Sequence, residues 1–120
     1  MSKKILLIED ELDHILVIKI RLQTIGHEVI EAIDGEEGFK KAKTEKPDLI
    51  ILDIMMPSLD GFGVCRLMKA DPATKDIKIL ILTALGIKDL AEKCHEAGAD
   101  DLLQKPWEAK ELERKIAALL

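Results

Sequence analysis

The sequence predicts an α/β fold, a five-stranded parallel sheet with helices on both faces, on three grounds. Short apolar runs rich in β-formers recur along the chain, helical patterns separate them, and the central runs are continuously apolar instead of alternating. Continuous runs belong to strands buried on both faces, and strand-helix alternation builds parallel sheets through crossover helices. A chain of 120 residues has room for one core, so a single (βα)5 domain over 1–120 is expected.

The first strand is expected at Ile5 to Ile8. Leu12, Ile15, Leu16 and Ile20 then mark one face of a helix that stops near Gly26. Glu28 to Ile33 reads as the second strand. Asp34, with Glu37 three residues on, reads as a reciprocal N-cap, and the helix it opens carries Phe39 and Ala42 but cannot pass Pro47. Leu49 to Leu52 is the third strand. A helix from about Gly61 to Ala70 buries Phe62, Cys65 and Met68 and ends before Asp71 and Pro72. The fourth strand, Ile77 to Leu82, leads to a helix from about Lys88 to Ala97, closed by Gly98 as a left-handed cap. A weaker strand at Asp101 to Leu103 precedes the last helix, which opens after Pro106 and carries Leu112, Ile116 and Leu119.

Composition narrows the function. Net charge is −5 with acids scattered along the chain, so the basic patch that nucleic acid or a membrane surface requires is missing, and no direct nucleic-acid contact is expected. The apolar runs fall well short of the ~20 residues of a membrane span, and no secretion signal is visible, which makes the expected location cytoplasmic. Cys65 and Cys94 have neither CxxC spacing nor a second pair and read as small buried hydrophobes. His14, His27 and His95 are well separated, lack a metal-ligand spacing, and read as surface or partly packed residues.

The residues that end the strands carry the chemistry. The first run ends in Glu9 and Asp10, the third in Asp53, the fourth in Thr83, and the fifth is followed by Lys105 and Pro106. In open α/β sheets, ligands bind outside the carboxyl ends of the strands, where these side chains converge. Taken singly, each has an ordinary explanation: Glu9, Asp10 and Glu11 as acids favoured by a helix N-terminus, Thr83 as a strand-end hydroxyl, Lys105-Pro106 as a turn. Asp53 fits that view least, because an unpaired acid directly after Leu49-Ile50-Ile51-Leu52 is costly.

Carboxylates gathered at one edge repel and need cations. Lys105 supplies one charge, and an all-oxygen ligand set suits Mg²⁺, or Mn²⁺, better than zinc or copper. With such an ion, an aspartate can attack phosphorus and become an acyl phosphate while Lys105 and the Thr83 hydroxyl engage the equatorial oxygens.

Segments across nearly the whole chain resemble the receiver domains of two-component response regulators. They are Ile5-Leu6-Leu7-Ile8-Glu9-Asp10-Glu11, Pro47-Asp48-Leu49-Ile50-Ile51-Leu52-Asp53, Met56-Pro57 with Asp60-Gly61, Leu82-Thr83-Ala84, and Gly98-Ala99-Asp100-Asp101 before Lys105-Pro106. The resemblance implies a flavodoxin-like fold with strand order 2-1-3-4-5. It implies Asp53 as phosphoacceptor, charged from a phosphohistidine on a sensor histidine kinase or histidine phosphotransfer protein. Mg²⁺ would be held by Asp10, Asp53, Glu9 and the Met55 backbone carbonyl, and the phosphoryl oxygens by Lys105, Thr83 and the Ala84 amide. Such a domain assists its own phosphorylation and dephosphorylation without being an enzyme, and the modification shifts a two-state surface near the fourth and fifth helices. Output then passes to a downstream protein target or effector, or through a phosphorylation-linked dimer.

Two departures from the family pattern stand out. Leu102 sits where Tyr or Phe is common, which implies weaker coupling or a different motion, and Trp107 replaces the Phe often found after Lys-Pro. Met55 and Leu85 would flank the phosphoryl group with apolar side chains, implying a long-lived acyl phosphate. The alternative within the fold is a pseudo-receiver, a protein-binding module that works without phosphorylation. Leu102 favours that reading, and Asp10, Asp53, Thr83 and Lys105 oppose it. An aspartate-dependent phosphatase would need a second acid at position 55, and a flavin protein a phosphate loop where Glu9-Asp10-Glu11 would repel phosphate.

Overall fold

The computed structural model describes residues 2–53, 61–83, 89–104 and 107–120. Strands and helices alternate: β1 (Lys4–Ile8), α1 (Leu12–Thr24), β2 (Glu28–Ala32), α2 (Gly35–Glu45), β3 (Leu49–Asp53), α3 (Gly61–Ala70), β4 (Lys78–Thr83), α4 (Leu90–Glu96), β5 (Asp101–Gln104) and α5 (Ala109–Leu119). All five strands are parallel, in the order β2-β1-β3-β4-β5. This is the order the resemblance implied.

The two-residue period of the strands sends alternate side chains into two separate cores. Ile5, Leu7, Leu49, Ile51, Leu80 and Leu82 pack against α1 and α5. Leu6, Ile8, Ile50, Leu52, Ile79 and Ile81 pack against α2, α3 and α4. β3 is buried along its entire length, which is why its sequence shows no alternation.

Several boundaries depart from the sequence expectation. β3 includes Asp53 itself and β4 includes Thr83, so both residues are held by strand backbone and not by the loops beyond. Ile33 falls outside β2 and is exposed. The inner face of α1 is Ile15, Ile18 and Leu22, whereas Leu12, Leu16 and Ile20, expected on one face with Ile15, point to solvent. An apolar stripe spaced by fours (12, 16, 20) competes in this sequence with one spaced three then four (15, 18, 22), and only packing decides between them. Phe62 is half-buried, whereas Cys65 and Met68 are fully enclosed.

The caps mostly follow expectation. The Glu37 N–H donates to Asp34 Oδ1 at 2.7 Å, and the Glu37 carboxylate turns to Lys41 at 3.3 Å, so the cap is one-sided where a reciprocal pair was expected. α2 ends on Lys46 in left-handed backbone (φ 48°), ahead of Pro47. α4 ends with Gly98 at φ +92°, as its sequence implied, and begins at Leu90; Lys88 lies outside the described residues. Both cysteines are buried and unbridged.

Candidate functional site

Register brings the acids together. Ile8 pairs with Leu52 in the β1–β3 ladder and Asp53 with Leu82 in the β3–β4 ladder, so Glu9, Asp53 and Thr83 finish three adjacent strands at one edge. The Glu9 N–H donates to the Ala32 carbonyl at 2.9 Å, extending the β1–β2 ladder and fixing the turn from which its side chain leaves. Glu9, Asp53 and Thr83 are each 0% exposed, and the fourth buried polar residue among those described, Thr74, lies elsewhere. Thr74 donates to the Met68 carbonyl at 2.6 Å behind α3, an ordinary structural bond.

The acids here do not serve as helix caps. Glu11 occupies the N-cap of α1 without a side-chain cap bond, and its carboxylate instead lies 3.1 Å from His14 Nδ1. The same ring nitrogen is 2.7 Å from Glu9 Oε1. Potential ligand atoms of Glu9, His14 and Asp53 all lie within 4.8 Å of one another. Asp10 stands beside them at the end of β1, half-buried, and is not one of the three.

Burial, and then the neighbouring Asp53 carboxylate, push the Glu9 carboxyl up to about 7, against the opposing pull of His14. Its Oε2 is enclosed and has no hydrogen-bond partner among the described residues. An enclosed carboxylate oxygen facing a second carboxylate is a costly arrangement that a bound cation relieves. The donor set is oxygen-rich and fits a hard divalent ion.

The expected site residues Lys105, Ala84 and Met55, with the flanking Leu85, lie outside the described residues. Glu9, Asp53 and Thr83 converge as their positions in the sequence implied. His14, read from sequence as a surface or partly packed residue without a ligand spacing, joins them. Its partner Glu9 is five residues back across the junction of β1 and α1, outside the i,i+3 and i,i+4 spacings of a helix face. The only sequence signal was Glu11-x-x-His14, three residues apart.

At the position where the family usually carries an aromatic ring, Leu102 packs partly buried against the α2–α4 core. Trp107 packs against the opposite core and forms, with Val17, Ile20 and Leu112, the wall of a groove of about 640 Å³ between α1 and α5.

Residues 5–117 match the response regulator receiver domain family. The chain is 46% identical to a probable transcriptional regulator, ycf27, of Cyanophora paradoxa, over 99% of this chain and 48% of that one. It is 42% identical to the alkaline phosphatase synthesis transcriptional regulatory protein PhoP of Bacillus subtilis (strain 168), over 100% of this chain and 49% of that one. It thus spans about half the length of the curated relatives it matches. Among solved structures, chemotaxis protein CheY4 of Vibrio cholerae superposes with a TM-score of 0.91 at 28% identity, covering both chains fully. The receiver domain of sensor histidine kinase PA1611 from Pseudomonas aeruginosa PAO1, solved with a magnesium ion coordinated in its active site cleft, gives 0.89 at 31% identity over 99% of this chain and 98% of that one. A family match across nearly the whole chain, the 2-1-3-4-5 sheet and the buried acids at its carboxyl edge agree: this chain belongs to the response regulator receiver domain family.

Proposed function

We propose that Asp53 is the phosphoacceptor of a His-to-Asp phosphorelay, and the observation that carries this reading is its burial at the end of β3 against Glu9. A carboxylate oxygen of Asp53 attacks the phosphorus of a partner's phosphohistidine, a P–O bond forms, and the P–N bond breaks as the imidazole leaves. Asp10, Asp53, Glu9 and the Met55 carbonyl would hold Mg²⁺, whose charge, when it is bound, offsets that of the phosphoryl oxygens. Thr83, fixed by β4, offers its hydroxyl to one of those oxygens, and Lys105 and the Ala84 amide serve the others. Enclosing Asp53, Glu9 and Thr83 at the sheet edge pre-sets their positions, so little reorganisation of these three accompanies the transfer.

The partners this reading requires are a sensor histidine kinase or histidine phosphotransfer protein upstream and a protein target or effector downstream, in the cytoplasm. The relatives named above are transcriptional regulators about twice this length, so DNA contact in such proteins need not fall on the matched half. Among the described residues, no helix is long and apolar enough to cross a membrane.

Intact mass after incubation with a small phosphodonor tests the proposal. A gain of one phosphoryl group that requires Mg²⁺ and disappears in Asp53→Asn is the expected result; an equal gain in Asp53→Asn would place the acceptor elsewhere.

A further inference from the structure

We propose that His14 makes the acidic pocket a mixed nitrogen and oxygen site, able to take a borderline divalent transition metal of the zinc and cobalt class in competition with Mg²⁺. The inference rests on the reading that Glu9 and Asp53 hold a cation.

Three observations support it. Ligand atoms of Glu9, His14 and Asp53 lie within 4.8 Å of one another, close enough to meet on one ion after small side-chain rotations. Glu9 Oε2 is enclosed with no hydrogen-bond partner among the described residues, so the pocket already holds a donor that a metal would use. His14 itself is about one-third exposed, at 34%, and sits in the first turn of α1, whose inner residues Ile15 and Ile18 anchor that turn to the sheet. The imidazole is therefore both positioned and reachable from solvent.

Ligand softness decides which ion gains. Carboxylate and carbonyl oxygens suit Mg²⁺, whereas an imidazole nitrogen adds little to a hard ion and much to zinc, cobalt, nickel or copper. Nδ1, the ring atom turned to Glu9, is the natural ligand atom, and coordination there exchanges the contact with Glu9 Oε1 for a shared metal, with the remaining ring proton on Nε2. Glu11, 3.1 Å from the same nitrogen, adds negative charge at the rim.

Titration calorimetry of Zn²⁺ and of Mg²⁺ on the intact chain and on His14→Gln tests the proposal. Zinc outbids magnesium at most oxygen sites, so the quantity that decides is the ratio of the two affinities. This ratio is expected to fall tenfold or more in His14→Gln. A smaller fall, including the case in which zinc binds at His27 or His95, overturns the inference. Independently of any substitution, paramagnetic Co²⁺ is expected to shift the His14 ring proton resonances of the wild-type chain, and unshifted resonances with the ion bound overturn it as well. Mg²⁺-dependent phosphorylation of the wild type is scored separately. If it occurs while the ratio holds, only the metal inference fails; if it does not occur, the phosphoacceptor reading fails and the ratio still decides the metal.

Discussion

Asp100 ties three elements together through one carboxylate. Its Oδ2 accepts from the Ile79 N–H at 2.8 Å and from Lys69 Nζ at 3.0 Å, and its own N–H donates to the Ile79 carbonyl at 2.9 Å. Lys69, on α3, also donates to the Ile77 carbonyl at 2.9 Å, so the approach to β5 is clamped to α3 and to the start of β4. Burial by itself would raise the Asp100 carboxyl, but the Ile79 N–H and the Lys69 ammonium outweigh it and hold it below its ordinary 3.8. Asp100→Asn should therefore cost about 1–3 kcal/mol in urea unfolding at pH 7. Because the folded value is the lower one, that margin is present above about pH 4 and fades as acid titrates the carboxylate. A gap between wild type and variant that persisted undiminished well below pH 3 would contradict this account. Asp53 was legible at this scale because an acid after four apolar residues has no cheap explanation. His14 was not, because its contact with Glu9 exists only once a strand and a helix are folded against each other.

At the scale of elements, α1 is the instructive case, since its periodicity admits two inner faces. The packed face predicts that Ile18→Ala costs about 2–4 kcal/mol, whereas Leu16→Gln, at a site 56% exposed, changes stability by less than about 0.5 kcal/mol. Comparable losses from the two would return Leu16 to the core. The end of α2 offers a stabilising change: Lys46 carries a side chain at φ 48°, a conformation that glycine adopts without strain. Lys46→Gly should raise unfolding stability by up to about 1 kcal/mol, and a lower melting temperature would show that the unfolded chain's gain in entropy wins instead. The strand cores were legible from continuous apolar runs, and helix ends from Pro47, Pro72 and Gly98. Strand ends were harder to place, because the apolar runs stop at Leu52 and Leu82 while the strands continue one residue further, to Asp53 and Thr83.

For the molecule as a whole, the order of strands is what makes a site. Periodicity gave five strands and their helices, but not that β1 lies between β2 and β3; the resemblance carried that step, and it is this adjacency that puts Glu9 beside Asp53. The fold bears a cost for it. In metal-free protein, the folded state holds the Glu9 proton more tightly than the unfolded chain does, with its carboxyl near 7 against an ordinary 4.5. Between those two values unfolding releases a proton, so this group makes stability fall as pH rises, by at most about 3 kcal/mol in all, with no further loss well above pH 7. Thermal melts in chelator from pH 5 to 8 should show the decline, and Glu9→Gln, which keeps the shape and removes the charge, should flatten it and melt higher than wild type at pH 8. Mg²⁺ acts in the opposite sense: at a hundred times its dissociation constant it adds about 2.7 kcal/mol, and Glu9→Gln should gain less. If wild type and Glu9→Gln melt with the same pH slope and the same response to Mg²⁺, the buried glutamate is not the source of the cost. If only the slope differs, the glutamate burdens the fold without holding the ion, and the Mg²⁺ ligands are to be sought among Asp10, Asp53 and the Met55 carbonyl.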